Sequence, residues 1–67
     1  MNRRLKEARC ARGWSIVQIA RYLEIDKTTY MGWQAGRHQP KEHHLRNLCA
    51  LLHKTPEELG FEGEKHV

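Results

Sequence analysis

The chain has 67 residues and a formal net charge of +4, which allows one small domain whose core supplies only ~3–5 kcal/mol of net stability. No apolar run approaches the ~18 residues that a membrane-spanning helix needs, and no signal segment opens the chain, so we expect a cytoplasmic protein without membrane contact. Cys10 and Cys49 are too few for a disulfide framework, and we expect both to be free thiols.

The first two predicted helices are short and have clear ends. Residues 2–12 have apolar side chains at helical spacing, and Gly13 stops this pattern as a glycine after a helix does. Ser15 and Gln18 stand three positions apart, which is the spacing of a capping box that begins a second helix over about 16–23.

Three more helices are predicted in the rest of the chain. Asp26 is placed to cap the start of a third helix over 26–35, and Gly36 ends it. A fourth helix begins near Lys41 and ends at 53–54.

The last predicted helix is a single turn. Thr55 and Glu58 form a second capping box around Pro56 at the first helical position. The sequence therefore predicts an all-α, compact five-helix bundle over residues 1–61, with residues 62–67 as a polar tail or the start of a linker.

Charge is distributed unevenly along the chain. Residues 1–12 contain five basic side chains and one acidic side chain, for a net charge of +4, and residues 37–47 contain three and one, for +2. Residues 48–67 contain two lysines and four glutamates, for −2. The two basic segments indicate a surface that faces phosphates, although an ordinary solvated basic surface has equal weight on charge alone.

Four segments of the chain resemble the phage-repressor (Cro/repressor, XRE-type) helix-turn-helix DNA-binding domain family: LKEARCARGWS, QIARYLEID, GWQAGRHQP and LCALLHKTPEELGF. The resemblance runs without gaps over residues 3–61. Ala20 falls at the position where the family has a small residue between its second and third helices. Four other residues fall at matching positions: Ile25, Trp33, Gly36 and Pro40. The resemblance implies a repressor-like helix-turn-helix fold.

The chain departs from the family pattern at five positions. Ile16 stands where the family usually has a glutamine that touches phosphate, and Glu24 stands where it has the turn glycine. Tyr30 replaces a small aliphatic core residue, and Met31 and Gly32 replace polar residues of the reading helix. These differences bear on base readout more than on the fold.

The resemblance implies that helix 26–35 enters the major groove and that Lys27, Thr28 and Met31 are its base contacts. Lys27 can donate to guanine, Thr28 can bond or touch a thymine methyl, and Met31 can make only apolar contact. Alternatives remain open: Lys27 is an ordinary solvated lysine, or Thr28 only supports the first helical turn. Gly32 is either a tolerated glycine or a point where the protein backbone closely approaches the sugar–phosphate edge of the DNA.

Phosphate contacts have separate candidates. The amides of Ile16 and Val17 begin a helix that Ser15 caps, and such a helix start attracts anions. Arg37 is the leading side-chain candidate because it directly follows the reading helix. The family geometry adds four further candidates, each of which taken singly is more often an ordinary surface residue: Arg12, Thr29, His38 and Lys41.

Metal binding and catalysis are not expected. Cys49 and His53 lie one helical turn apart, but no second pair with matching spacing completes the four ligands that zinc prefers, and we expect a core cysteine and surface histidines instead. Trp33 is predicted to lie in the core and Trp14 to form a partly exposed lid. No nucleophile–base pair and no phosphate-cradling glycine loop is visible, so we expect neither an enzyme nor a cofactor.

Two functions are compatible with this sequence. The leading hypothesis is sequence-specific binding of double-stranded DNA by a transcriptional regulator, with a homodimer reading two half-sites. The alternative is a protein–protein interaction module on the same scaffold, with an apolar patch around Ile16, Met31 and Gly32. The basic residues around the motif favour DNA.

Overall fold

A computed structural model describes residues 1–61, so the predicted tail over 62–67 lies outside the described residues. The described part of the chain confirms the predicted all-α architecture. None of its helices is long and apolar enough to cross a membrane. Four helices are present in the described residues: α1 (Arg3–Ala11), α2 (Ile16–Leu23), α3 (Lys27–Ala35) and α4 (Glu42–Leu52). Each lies within one or two residues of its predicted bounds.

The predicted fifth helix is wrong. The capping box forms as expected, because the Glu58 N–H donates to Thr55 Oγ1 at 3.1 Å and the Thr55 N–H donates to Glu58 Oε1 at 2.8 Å. Residues 56–60 nevertheless form only a series of turns. Gly60 has a φ of 83°, so the backbone leaves the right-handed helical region before a second turn begins.

The core is one cluster of buried side chains from all four helices and the C-terminal turns. Tyr30 and Leu48 are fully buried near its centre, and Trp33 is 3% exposed, as predicted. Trp14 packs against this cluster while half-buried, which agrees with the predicted lid, and its ring meets Tyr22 edge-on at a centroid distance of 5.8 Å. The remaining buried members are Leu5, Ala8, Ile19, Leu23, Leu52, Leu59 and Phe61.

The turn between α2 and α3 orients the two helices. Glu24 has a left-handed backbone, with φ 59° and ψ 46°, and its N–H donates to the carbonyls of Ala20 and Arg21. The Ile25 N–H also donates to the Ala20 carbonyl, at 2.9 Å. Ala20 is buried at 5% exposure, as its position in the helix-turn-helix pattern predicts. A left-handed residue other than glycine costs about 1–2 kcal/mol, so this turn carries strain.

Asn2 joins the start of α1 to two other parts of the domain. Its Oδ1 accepts from the Leu5 N–H at 3.1 Å and caps α1. Its backbone N–H donates to the Gln34 carbonyl at 2.7 Å, and its Nδ2 donates to the Leu59 carbonyl at 2.8 Å. One side chain and its backbone therefore tie the C-terminal half of α3 to α1 and to the C-terminal turns.

Candidate nucleic-acid interface

The predicted capping box at the start of α2 is confirmed. Ser15 Oγ accepts from the Gln18 N–H at 3.0 Å, and Gln18 Oε1 accepts from the Ser15 N–H at 2.9 Å. The N–H groups of Ile16 and Val17 have no acceptor within residues 1–61. Because these groups lie at the positive end of a helix dipole, this helix start is suited to an anion.

The outer face of α3 is open. Tyr30 and Trp33 point into the core, and the opposite side of the helix exposes four of the predicted contact residues. None of these four side chains makes a hydrogen bond or an ion pair with any residue in 1–61. The exposed residues are Lys27, Thr28, Thr29 and Met31, the last of which is 41% exposed.

Asp26 corrects one detail of the prediction at the start of α3. Its backbone occupies the N-cap position, and its carbonyl accepts from the Thr29 N–H at 3.0 Å. Its carboxylate makes no cap hydrogen bond, although a side-chain cap was predicted. The carboxylate is exposed beside Lys27. It interacts favourably with the positive end of the helix dipole, but it repels an approaching phosphate.

Gly32 is covered by a side chain whose position was not predicted from the sequence. It lies one helical turn after Thr28, on the same outer face, yet it is buried. The covering group is the ring of His38: a Cβ placed on Gly32 would lie 2.6 Å from His38 Cδ2. The N–H groups of Arg37 and His38 donate to the Gly32 carbonyl at 3.0 and 3.3 Å. The segment after α3 therefore folds back onto α3.

A partly buried polar network, which the sequence patterns did not predict, supports the inner side of α3. The Tyr30 hydroxyl donates to Gln34 Oε1 at 3.0 Å, and Arg9 Nε donates to the same oxygen at 3.4 Å. Arg9 Nη1 also donates to the Trp14 carbonyl at 2.8 Å. Burial raises the pKa of Tyr30 to about 12, although Arg9 opposes this rise, so the phenol stays a donor at neutral pH. The one sequence feature that could have indicated this network is the four-residue spacing of Tyr30 and Gln34.

The basic candidates are exposed and not neutralised by acidic side chains in residues 1–61. Arg12 follows α1, Arg37 follows α3, and Lys41 precedes α4. The ion pair in this part of the chain joins Arg46 to Glu42 at 3.4 Å on the exposed side of α4. Ten of the eleven predicted contact residues are exposed, and Ile16, which packs against the core, is half-buried.

His44 is not the surface histidine that the sequence predicted. Its ring lies against Trp33 at a centroid distance of 5.8 Å, and its Nδ1 is buried without a hydrogen-bond partner in the described residues. Burial lowers the pKa of His44, and the neighbouring His43 and Lys41 lower it further. No three histidine, cysteine or acidic side chains in residues 1–61 are grouped in a way that could hold a metal ion.

Comparison with known proteins agrees with this geometry. A family profile described as "Helix-turn-helix domain" matches residues 2–60, so the chain belongs to the XRE-like helix-turn-helix family. The chain is also 38% identical over 65 residues to the HTH-type transcriptional regulator AnsR of Bacillus subtilis (strain 168). That match includes 96% of this chain and 56% of AnsR, so the chain spans about half the length of this relative. No solved structure matches the chain significantly.

Proposed function

We propose that the chain is the DNA-binding part of a transcriptional regulator and binds double-stranded DNA sequence-specifically, with α3 in the major groove. The observation that carries this proposal is the open outer face of α3, whose polar side chains are not used inside the described domain. Membership of the helix-turn-helix family and the likeness to a protein named as a transcriptional regulator support it.

Three residues of α3 are the proposed base contacts. Lys27, in the first turn, donates to O6 or N7 of a guanine. Thr28 hydrogen-bonds a base edge or packs on a thymine methyl, and Met31 packs on apolar parts of the groove. All three are exposed, and the start of a recognition helix is where base edges are read.

Phosphates on either side of the groove are proposed to bind two groups of donors. The first is the start of α2, where Ser15 and the amides of Ile16 and Val17 offer an anion site. The second consists of exposed side chains that follow α1, lie on α3, follow α3 and precede α4: Arg12, Thr29, Arg37 and Lys41. We also propose that two copies bind two half-sites, since one such helix reads only a short segment.

The proposal is tested by measuring the affinity of the purified chain for a duplex selected from random sequences and for a scrambled duplex, between 50 and 200 mM salt. We expect the selected duplex to bind more tightly, and the log–log slope against salt to be roughly −4 for about four phosphate contacts. The matched control is Lys54→Ala, which removes an exposed lysine outside the proposed interface and should leave the slope unchanged. A flat salt response, or equal affinity for both duplexes, contradicts sequence-specific DNA binding.

A second function is supported by exposed apolar side chains on α2 and α3. Val17 is 50% exposed and Met31 is 41% exposed, and Ile16 lies beside Val17 in the first turn of α2. Exposed apolar side chains can pack against a protein partner as well as against the edge of a DNA groove. Under this alternative, replacing Val17 and Met31 together by serine abolishes capture of the partner, whereas under the DNA proposal it leaves the salt slope unchanged.

A further inference from the structure

We infer that His38 is a specificity-determining residue: its imidazole lies on the outer face of α3 and reads a base edge at the place where Gly32 has no side chain. This inference rests on the proposed DNA binding. A phosphate contact would only hold the DNA backbone, whereas the inferred contact makes His38 part of the surface that reads the base sequence.

The contact between Gly32 and His38 places the ring. Cδ2 of His38 lies 2.6 Å from the position of a Cβ on Gly32, while Cγ and Nε2 each lie 3.6 Å from it. The ring thus fills the space that any side chain at position 32 would enter. The hydrogen bonds from the Arg37 and His38 N–H groups to the Gly32 carbonyl hold the loop in this position.

Position 32 belongs to the reading face of α3. It follows Thr28 by one helical turn, and at 1.5 Å per residue it lies about 6 Å further along the helix axis. Thr28 is exposed, so the direction in which residue 32 faces is open to the groove unless another group covers it. His38 is that group, and it is itself exposed.

The ring has hydrogen-bonding capacity to spare. Neither of its nitrogens has a partner within residues 1–61. Cδ2 is the ring atom nearest Gly32, and Nδ1 lies across the ring from Cδ2, so it faces away from the helix. A neutral imidazole offers one N–H donor and one acceptor. It can therefore donate to a purine N7 or to guanine O6, or accept from the amino group of adenine or cytosine.

The test compares base preferences of the wild-type chain and of His38→Ala by selection from randomised duplexes, followed by affinity measurements at fixed salt. We expect the wild-type preference at one base pair to be lost in the variant. Changing that pair should weaken wild-type binding about tenfold and leave binding by the variant nearly unchanged. The matched control is Gln39→Ala, the adjacent exposed loop residue, whose base preferences should equal those of the wild type.

A second variant separates readout from loosening of α3. Gly32→Ala combined with His38→Ala fills the uncovered glycine with a good helix former, so α3 stays well formed. Loss of the same base preference in this double variant supports the inference, and its restoration overturns it. If His38→Ala weakens all duplexes equally and lowers the salt slope, His38 contacts phosphate and the inference is wrong. Absence of DNA binding by the wild type instead refutes the proposed function.

Discussion

Replacing Gly32 by alanine tests quantitatively how the His38 ring packs on α3. Alanine in a helix interior is about 1 kcal/mol more favourable than glycine. The new Cβ would lie 2.6 Å from His38 Cδ2, so the ring must rotate away into solvent. If five to ten carbon contacts of roughly 0.1–0.2 kcal/mol are lost with it, the cost is about 1 kcal/mol. The two effects nearly cancel, and we expect little change in the free energy of unfolding.

The same substitution should behave differently without the histidine. In a His38→Ala background no ring is displaced, so Gly32→Ala should raise the free energy of unfolding by about 1 kcal/mol. Urea unfolding of the wild type, both single variants and the double variant gives the coupling energy directly. We expect a coupling of about 1 kcal/mol. Equal effects of Gly32→Ala in both backgrounds would show that the His38 ring does not rest on α3.

Four further predictions follow from the interface and its supports. Lys27→Ala should cost ~1–3 kcal/mol of binding free energy on the preferred duplex and relax the preference for one base. Arg37→Ala should instead weaken binding to all duplexes and lower the salt slope by about one. If Lys27→Ala weakens binding to all duplexes equally, Lys27 contacts phosphate rather than a base. Ile16→Gln removes a half-buried side chain that packs against the core, but it should tighten DNA binding by adding a donor at the start of α2, measured on protein that urea unfolding shows to be folded. Unchanged DNA affinity with loss of a protein partner favours the interaction module. Glu24→Gly should stabilise the domain by about 0.5–1 kcal/mol in urea unfolding, since it relieves the left-handed strain at φ 59°. Because the pKa of His44 is lowered in the folded state, the free energy of unfolding should fall as pH drops below about 6.5. A His44→Asn variant with the same pH dependence of unfolding as the wild type would contradict this.

Local signals explain why α1 to α3 were predictable. The reciprocal bonds of Ser15 and Gln18 involve residues three apart, and the left-handed glycine after α3, Gly36 at φ 86°, needs no distant partner. The same logic failed at 56–60, because a capping box begins a helix but does not supply the residues that continue it. It failed at Asp26 as well, where residue type predicted a cap that the side chain does not make.

The sequence patterns did not predict contacts between residues that lie far apart in the chain. Arg9 was counted among the basic surface residues of the first segment, but it bonds Gln34 and the Trp14 carbonyl in the partly buried interior. No contact outside its own helix was predicted for Asn2, although its Nδ2 donates to the Leu59 carbonyl. Neither residue type at those positions distinguishes a solvated side chain from an internal donor.

Under the proposed function, the number of polar groups on the outer face of α3 limits how well one copy of the domain discriminates between DNA sequences. Met31 is apolar and Gly32 has no side chain, so α3 itself offers Lys27 and Thr28 as polar base contacts. Each good contact discriminates by about 1–3 kcal/mol, and specific sites usually require ~4–10 kcal/mol over random DNA. Two contacts reach only the lower part of that range. The third contact inferred for His38 extends it, so the reading surface that we propose consists of α3 together with the loop that folds back on it.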